Sequence, residues 1–200
     1  YPWGATGHMV TTQIAYDRLN PDVKAEVDRL IAVLAGYAPE IDHFVPAATW
    51  MDELKGYSLK AFNNWHFIDI PYNPYNLPRM AEPGEENVVW AIDQAVQTLK
   101  SKSAGDFQKA LMLRFLIHFV GDVHQPLHCI SRYTWLYPDG DRGGNLFLLM
   151  SYPGWKPFYA KQKPNLHAFW DDTATLFPSV RSKSWKTKIP EFANRVVKDI

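Results

Sequence analysis

The sequence predicts an all-α fold, a single mainly helical domain over residues 1–200, and three observations carry that reading. Apolar residues recur at helical spacing, capping residues and stops flank those stretches, and the segments between them are rich in Pro, Tyr and Asn. A 200-residue chain with 46% hydrophobic and 14% aromatic residues, eight Trp among them, has enough apolar material for one sizeable core but is too short for two full domains.

A short helical pattern covers roughly Gly7 to Leu19. Asn20 before Pro21 starts a second helix, in which Val23, Val27, Leu30, Ile31 and Leu34 form an apolar stripe and Gly36 is a natural stop. Another short pattern runs from Ala47 to Lys55, and Pro71 to Pro83 reads as loop. Val89, Ile92, Val96 and Leu99 make the next stripe; the one after it begins at Asp106 as N-cap and passes through Leu111 and Phe115 into His118. Asp139 to Tyr152 is the exception, because Gly140, Gly143 and Gly144 precede the apolar run Leu146 to Met150 and predict a short β-hairpin near residues 143–152. Helical patterning returns over Asn165 to Phe177. The last stripe, Phe192, Val196, Val197 and Ile200, has no capping residue behind it, so a further C-terminal helical piece is expected. There is no internal repeat and no low-complexity tract.

Charge narrows the function classes. With 21 basic and 21 acidic side chains and no Lys or Arg block, the chain lacks the cations that a tight duplex-DNA binder needs. Its one cysteine, Cys129, excludes an intramolecular disulfide. No apolar run has the length to span a bilayer, so stable membrane insertion is not expected, and no charged-then-apolar signal peptide is present.

The run His118, Phe119, Val120, Gly121, Asp122, Val123, His124, Gln125, Pro126, Leu127, His128 carries the chemistry. On a helix, His118 and Asp122 at i and i+4 point the same way, and Pro126 breaks the chain so that His128 approaches from another angle. His167 and Asp171 repeat the spacing. Taken singly, each His reads as a hydrogen-bonded core residue. Taken together with His8, Asp52 and His66 in equally apolar surroundings, five histidines and three aspartates favour imidazole and carboxylate ligation of zinc. Three zinc ions would add about +6 at one spot, enough to attract a phosphate without a basic surface.

Trp3-Gly4-Ala5-Thr6-Gly7-His8, Trp50-Met51-Asp52, His66-Phe67-Ile68-Asp69, the His118 to His128 run, Gly143-Gly144-Asn145 and Asn165 to Asp171 follow one another along nearly the whole chain. In that order they resemble the zinc-dependent single-strand nuclease and 3′-nucleotidase family, the class I nucleases, within the zinc phospholipase C/nuclease type of helical fold. The resemblance implies three zinc ions: one between Asp52, His66, His118 and Asp122, a second held by His8, Asp122 and Trp3, and a third held by His128, His167 and Asp171. Asp122 would bridge the first two. His43 and His124 are left without metal roles, and His124 is expected to orient a ligand or to pack.

The implied activity is hydrolysis of single-stranded RNA or DNA to 5′-nucleotides and removal of 3′-phosphate from 3′-nucleotides, by attack of a zinc-bound hydroxide. By the same resemblance, Lys55 and Asn145 stabilise the phosphoryl oxygens, while Phe67 and Asp69 stack on and hydrogen-bond a base. Position alone would make Lys55 a solvated lysine and Asn145 a turn residue. Secretion or export to the periplasm is implied, and a monomer is expected.

Three departures stand out: Tyr1 and Pro2 precede the tryptophan, disulfides are missing, and an aromatic insertion lies between His128 and His167, containing Tyr133, Trp135, Tyr137, Tyr152, Trp155, Phe158 and Tyr159. An amide nitrogen is a poor ligand, which sets the expected role of Trp3 apart. A zinc-dependent phospholipase C is the nearest alternative; the spacing of five from Trp3 to His8 and Asp171 as last ligand count against it. From another class, a structural-zinc module binding nucleic acid or a partner would normally be cysteine-rich, unlike this chain.

Overall fold

The long helix α6, Asp106–Val123, is the element against which the others are laid, with α1 (Ala5–Arg18), α2 (Pro21–Val33), α4 (Trp50–Gly56) and α5 (Val88–Lys100) all packed on it. In this computed structural model, residues 3–37, 41–149, 164–180 and 184–198 are described. Among them are also the short helix α3 (Phe44–Ala47), α7 (Leu166–Asp171) and α8 (Trp185–Lys198), making eight α-helices, together with the strands β1 (Ile70–Tyr72) and β2 (Ile130–Arg132). The expected mainly helical fold is what forms.

Local sequence accounts for the starts of four of the eight helices, α2, α5, α6 and α7. The Asn20 side chain accepts from Val23 N–H ahead of Pro21, Asn87 caps α5 through Val89 and Trp90, and Asn165 caps α7 through Ala168. At α6 the cap is Gly105 rather than Asp106. Gln108 Oε1 reaches back to Gly105 N–H at 2.6 Å, while the Asp106 carboxylate, one residue inside the helix, pairs with Arg29 at 2.6 Å. The expected helix from Ala47 to Lys55 divides into α3 and α4 at a turn over Ala48 and Thr49. Thr49 Oγ1 donates to Pro46 O in that turn, and the Ala48 carbonyl accepts from His118 Nδ1.

Helix α5 buries Val88, Ala91 and Ala95, one position round from the stripe the sequence predicts; Val89 is 57% exposed. The small side chains of Ala91 and Ala95 let α5 pack on α6, so the buried face runs through Val88, Ala91 and Ala95. Helix α8 meets α1 through Ile189 and Phe192, which join Met9, Val10, Val45 and Val180 in one core cluster. Val196 flanks this cluster, whereas Ile200 lies outside the described residues.

The expected hairpin near 143–152 takes another form. Residues 150–152 lie outside the described residues, and the antiparallel bridge of Leu148 is to Asn165, flanked by Leu149 N–H to Pro164 O and Leu166 N–H to Phe147 O. The sheet that does form is parallel, with Ile70 opposite Ile130 and Tyr72 opposite Arg132. It extends the bond from Ile68 N–H to His128 O, so residues 66–69 lie beside the turn Pro126–His128. From 166 onward the helical pattern gives α7 and then a single 3-10 turn, Thr173–Thr175, with all three φ angles positive.

One buried charge belongs to the scaffold. Arg114 on α6 is fully buried, donates to Ile31 O at 2.8 Å near the C-terminal end of α2, and donates to Ala110 O on its own helix. Burial lowers its pKa to about 10. A cation at a helix C-terminus satisfies carbonyls that the helix leaves unpaired. Arg114→Ala leaves a cavity and takes from Ile31 O the shorter of its two donors, Leu34 N–H at 3.3 Å being the other, and should cost about 3 kcal/mol. A lower urea midpoint at unchanged slope is the expected result, with Arg29→Ala, an exposed pair, leaving the midpoint close to that of the parent.

Candidate metal centre

Six segments deliver the ligand-type side chains. Helix α6 presents His118 and Asp122 one turn apart on one face, both fully buried. Helix α1 crosses α6 at Gly121 and brings in His8; a Cβ at Gly121 would lie 2.6 Å from His8 Nδ1. This close approach lets the His8 ring stack on His118 with centroids 4.1 Å apart. Asp52 comes from α4, His66 from the 3-10 turn Asn63–His66, His128 from the turn Pro126–His128, and His167 and Asp171 from α7.

Among the described residues, three groups of ligand atoms lie within 4.8 Å of one another: His8, His118 and Asp122; Asp52, His66 and His118; and His128, His167 and Asp171. His66 Nδ1 is 3.0 Å from Asp122 Oδ2 and 3.0 Å from His118 Nε2, and His118 Nε2 is 3.4 Å from the same carboxylate oxygen. Asp52 Oδ1 lies 3.8 Å from His118 Nε2 and 4.0 Å from His66 Nδ1. The other oxygen of Asp122, Oδ1, is 3.2 Å from His8 Nε2. In the third group the distances are 3.4 Å from His167 Nε2 to Asp171 Oδ2 and 3.8 Å from His128 Nε2 to Asp171 Oδ1. Four atoms each about 2.0–2.1 Å from a tetrahedral ion lie about 3.3 Å apart, close to these separations.

Hydrogen bonding leaves these atoms as acceptors. His118 Nδ1 donates to Ala48 O, His128 Nδ1 to His66 O at 2.8 Å, and His167 Nδ1 to Gly143 O at 2.7 Å. Each proton used on Nδ1 leaves a bare Nε2 lone pair aimed at a carboxylate. Both ring nitrogens of His8, Nε2 of His128 and Oδ1 of Asp122 are buried without a hydrogen-bond partner. Lone pairs converging in a dry interior repel unless a cation sits among them, so the residues fit a bound metal. Burial pushes the pKa values of His8, His66 and His167 down, takes His118 to about 4, and drives Asp122 well above the usual carboxylate range. Neutral imidazole is the form that ligates.

The remaining expected site residues surround the clusters. Lys55 Nζ is 2.9 Å from Asp52 Oδ1, one helical turn away. Phe67 is exposed beside His66; Asp69 is half-buried, its pKa raised by burial and by nearby Asp141. Asn145 is half-buried in the Gly-rich turn, where its side-chain amide donates to Arg142 O at 2.8 Å. Gly143 stands at φ 60, close under Leu127 O, where a side chain has no room. Trp3 is half-buried with Nε1 unpartnered, and the next residue, Gly4, donates its N–H to Asp171 O at 2.6 Å; Tyr1 and Pro2 lie outside the described residues. Of the insertion aromatics, Tyr133 is buried, Trp135 is exposed and Tyr137 donates to Leu146 O, while Tyr152, Trp155, Phe158 and Tyr159 lie outside the described residues.

His124 does not orient a ligand. It is exposed and its Nδ1 donates to Val120 O on its own helix. The neighbour that does reach a ligand is Gln125, fully buried, with Nε2 2.8 Å from Asp171 Oδ1. Sequence reasoning missed Gln125 and Gly121; the available signal was an amide next to Pro126 and a glycine between two ligands, neither distinctive alone.

Comparison with known proteins now decides the family, because the family described as S1/P1 Nuclease matches residues 3–200. The chain belongs to the S1/P1 nuclease family. Among S1/P1 relatives it is 29% identical to Nuclease P1 of Penicillium citrinum over 134 residues, covering 63% of this chain and 47% of the relative. It is 31% identical to Endonuclease 2 of Arabidopsis thaliana over 179 residues, 84% of this chain and 54% of the relative. Endonuclease 3 of Arabidopsis thaliana is 28% identical over 177 residues, 85% of this chain and 53% of the relative. The chain thus spans about half the length of the S1/P1 relatives it matches. No helix among the described residues is long and apolar enough to cross a membrane.

The depressed histidines set a pH dependence in the metal-free chain. An unfolded His takes up a proton near pH 6.5 and folded His118 only near 4, so below 6.5 the unfolded state binds more protons and stability falls with pH. Asp122 acts in the opposite direction, since its raised pKa favours the folded state as pH falls toward 3.8. With His8, His66 and His167 acting like His118, the urea midpoint should drop between pH 7 and 4.5. A midpoint that rises on acidification would mean that Asp122 dominates.

Proposed function

We propose that this chain is a zinc-dependent phosphodiesterase that cleaves single-stranded RNA or DNA to 5′-nucleotides and removes the 3′-phosphate from 3′-nucleotides. The observation that carries the reading is the single buried carboxylate of Asp122, with one oxygen facing His8 and the other facing His66 and His118. Such a carboxylate suits two neighbouring ions. Asp52, His66, His118 and Asp122 would hold one zinc, His8 and Asp122 with Trp3 a second, and His128, His167 and Asp171 a third. Zinc there would supply a Lewis acid for phosphoryl oxygens and lower the pKa of a bound water toward neutrality.

The protein's own groups arrange the substrate. Lys55 places a cation one turn from Asp52, where it would offset charge building on phosphoryl oxygens, and Asn145 would add an amide donor from the turn that fixes His167. The exposed Phe67 ring, next in sequence to His66, offers a stacking face for a nucleobase, and Asp69 offers a carboxylate to the base edge. A stacked base must first leave its own duplex, which accounts for single-strand preference. By the family resemblance, such an enzyme works outside the cell or in the periplasm, as a monomer.

Asp122→Asn should lower kcat/KM on a single-stranded oligonucleotide by at least about 10³-fold and release more than one zinc per chain, measured by phosphate release and elemental mass spectrometry. Full rate with full zinc content would refute the bridging role. Turnover of phosphatidylcholine in preference to RNA would point to the phospholipase reading, and zinc-dependent folding without any hydrolysis to a structural role.

Phe67→Ala removes stacking of about 1–3 kcal/mol, present in ground and transition states alike, so KM should rise about 5- to 100-fold while kcat holds. Loss confined to kcat would place Phe67 in support of the metal ligands instead.

A further inference from the structure

Gln125 stands out among the fully buried polar side chains because each of its hydrogen-bonding groups ends on the metal centre's framework. Its Nε2 donates to Asp171 Oδ1 at 2.8 Å, and its Oε1 accepts from Leu127 N–H at 2.6 Å, inside the turn that carries His128. Its backbone N–H donates to Asp122 O and its carbonyl accepts from His128 N–H, both at 2.9 Å. The bond to Leu127 fixes the amide orientation: with Oε1 occupied by a donor, the NH₂ must be what faces the carboxylate.

We infer that Gln125 is the positioning residue of the third cluster, holding Asp171 at the angle at which it and the Nε2 atoms of His128 and His167 accept one zinc ion. The inference rests on the metal reading above. Asp171 sits on a six-residue helix, which does little by itself to fix a carboxylate. Three supports act on it from outside that helix's own turn. Gly4 N–H holds its backbone oxygen, Gln125 holds Oδ1, and the Leu127 bond couples Gln125 to the turn that presents His128. One amide thus sets the relation between two ligands 43 positions apart in the sequence. Without it, Oδ1 of Asp171 loses its amide donor and the His128 turn loses its N-terminal cap. The clusters around Asp122 draw on Ala48 O and the α1–α6 crossing instead, so they should be spared.

The test is zinc titrated against a competing chelator in the parent chain and in Gln125→Met, which keeps the volume and removes both side-chain bonds. Three filled sites are expected in the parent. In the variant, one site should weaken about 10- to 100-fold while two keep their affinity, and the ligand-field bands of cobalt(II) bound in the third site should shift. Equal affinities at all three sites in both proteins, or equal weakening of all three in the variant, would overturn the role of Gln125 and leave the metal reading standing. No zinc uptake by the parent would overturn both. Should Gln125→Met fail to fold, the unaltered protein still answers by nuclear magnetic resonance. The Gln125 side-chain amide should exchange slowly and shift when the third equivalent of zinc is added; fast exchange and a stationary resonance would refute the inference.

Discussion

A carboxylate with no exposure to water, ringed by imidazoles whose lone pairs point at it, is the constraint on which the rest of the structure depends. Asp122 lies within 3.4 Å of His8, His66 and His118, yet its Oδ1 and both ring nitrogens of His8 are buried with no hydrogen-bond partner. Folding around such a cluster without a cation brings like lone pairs together in a medium that screens poorly. A bound cation would turn the same geometry into a cross-link joining α1, α4 and α6 to the turn at His66. The one cysteine is half-buried and donates its thiol to Val123 O, so no disulfide shares that cross-linking role.

The helices serve the ligands through their backbones as much as through their packing. Ala48 O, His66 O and Gly143 O each take an imidazole proton, and each belongs to a place where regular structure is broken: the turn between α3 and α4, the end of a 3-10 turn, and a glycine at positive φ. A carbonyl inside a helix is already engaged, so one that is to orient a metal ligand has to come from such an interruption. The splitting of α3 from α4 and the irregular stretch from 140 to 149 are therefore parts of the centre.

What the sequence disclosed was whatever local periodicity encodes. His118 with Asp122 and His167 with Asp171 are legible because i and i+4 share a helix face, and the cap at Asn20 because an amide before a proline has few other uses. The rotated face of α5 was hidden because Ala91 and Ala95 weigh little in a hydrophobic pattern, although their small size is what lets two helices meet. Asp106 looked like a cap until Arg29, 77 residues away, claimed its carboxylate. Gln125 and the pairing of Leu148 with Asn165 were invisible for the same reason: their partners are 46 and 17 positions distant, and no window of sequence holds both ends.

The spread of the ligands along the chain has a kinetic consequence. Of the clustered histidines and aspartates, His8 leaves the ribosome first and Asp171 last, and each cluster includes residues from separate segments. The two clusters that share His118 are complete in sequence once α6 has been made, whereas the third waits for α7, and each pays its own loop-closure entropy before its ligand atoms meet. Assembly of the third cluster is in this sense the late step, one that reports on whether the chain beyond α6 has folded back onto the turn that carries His128.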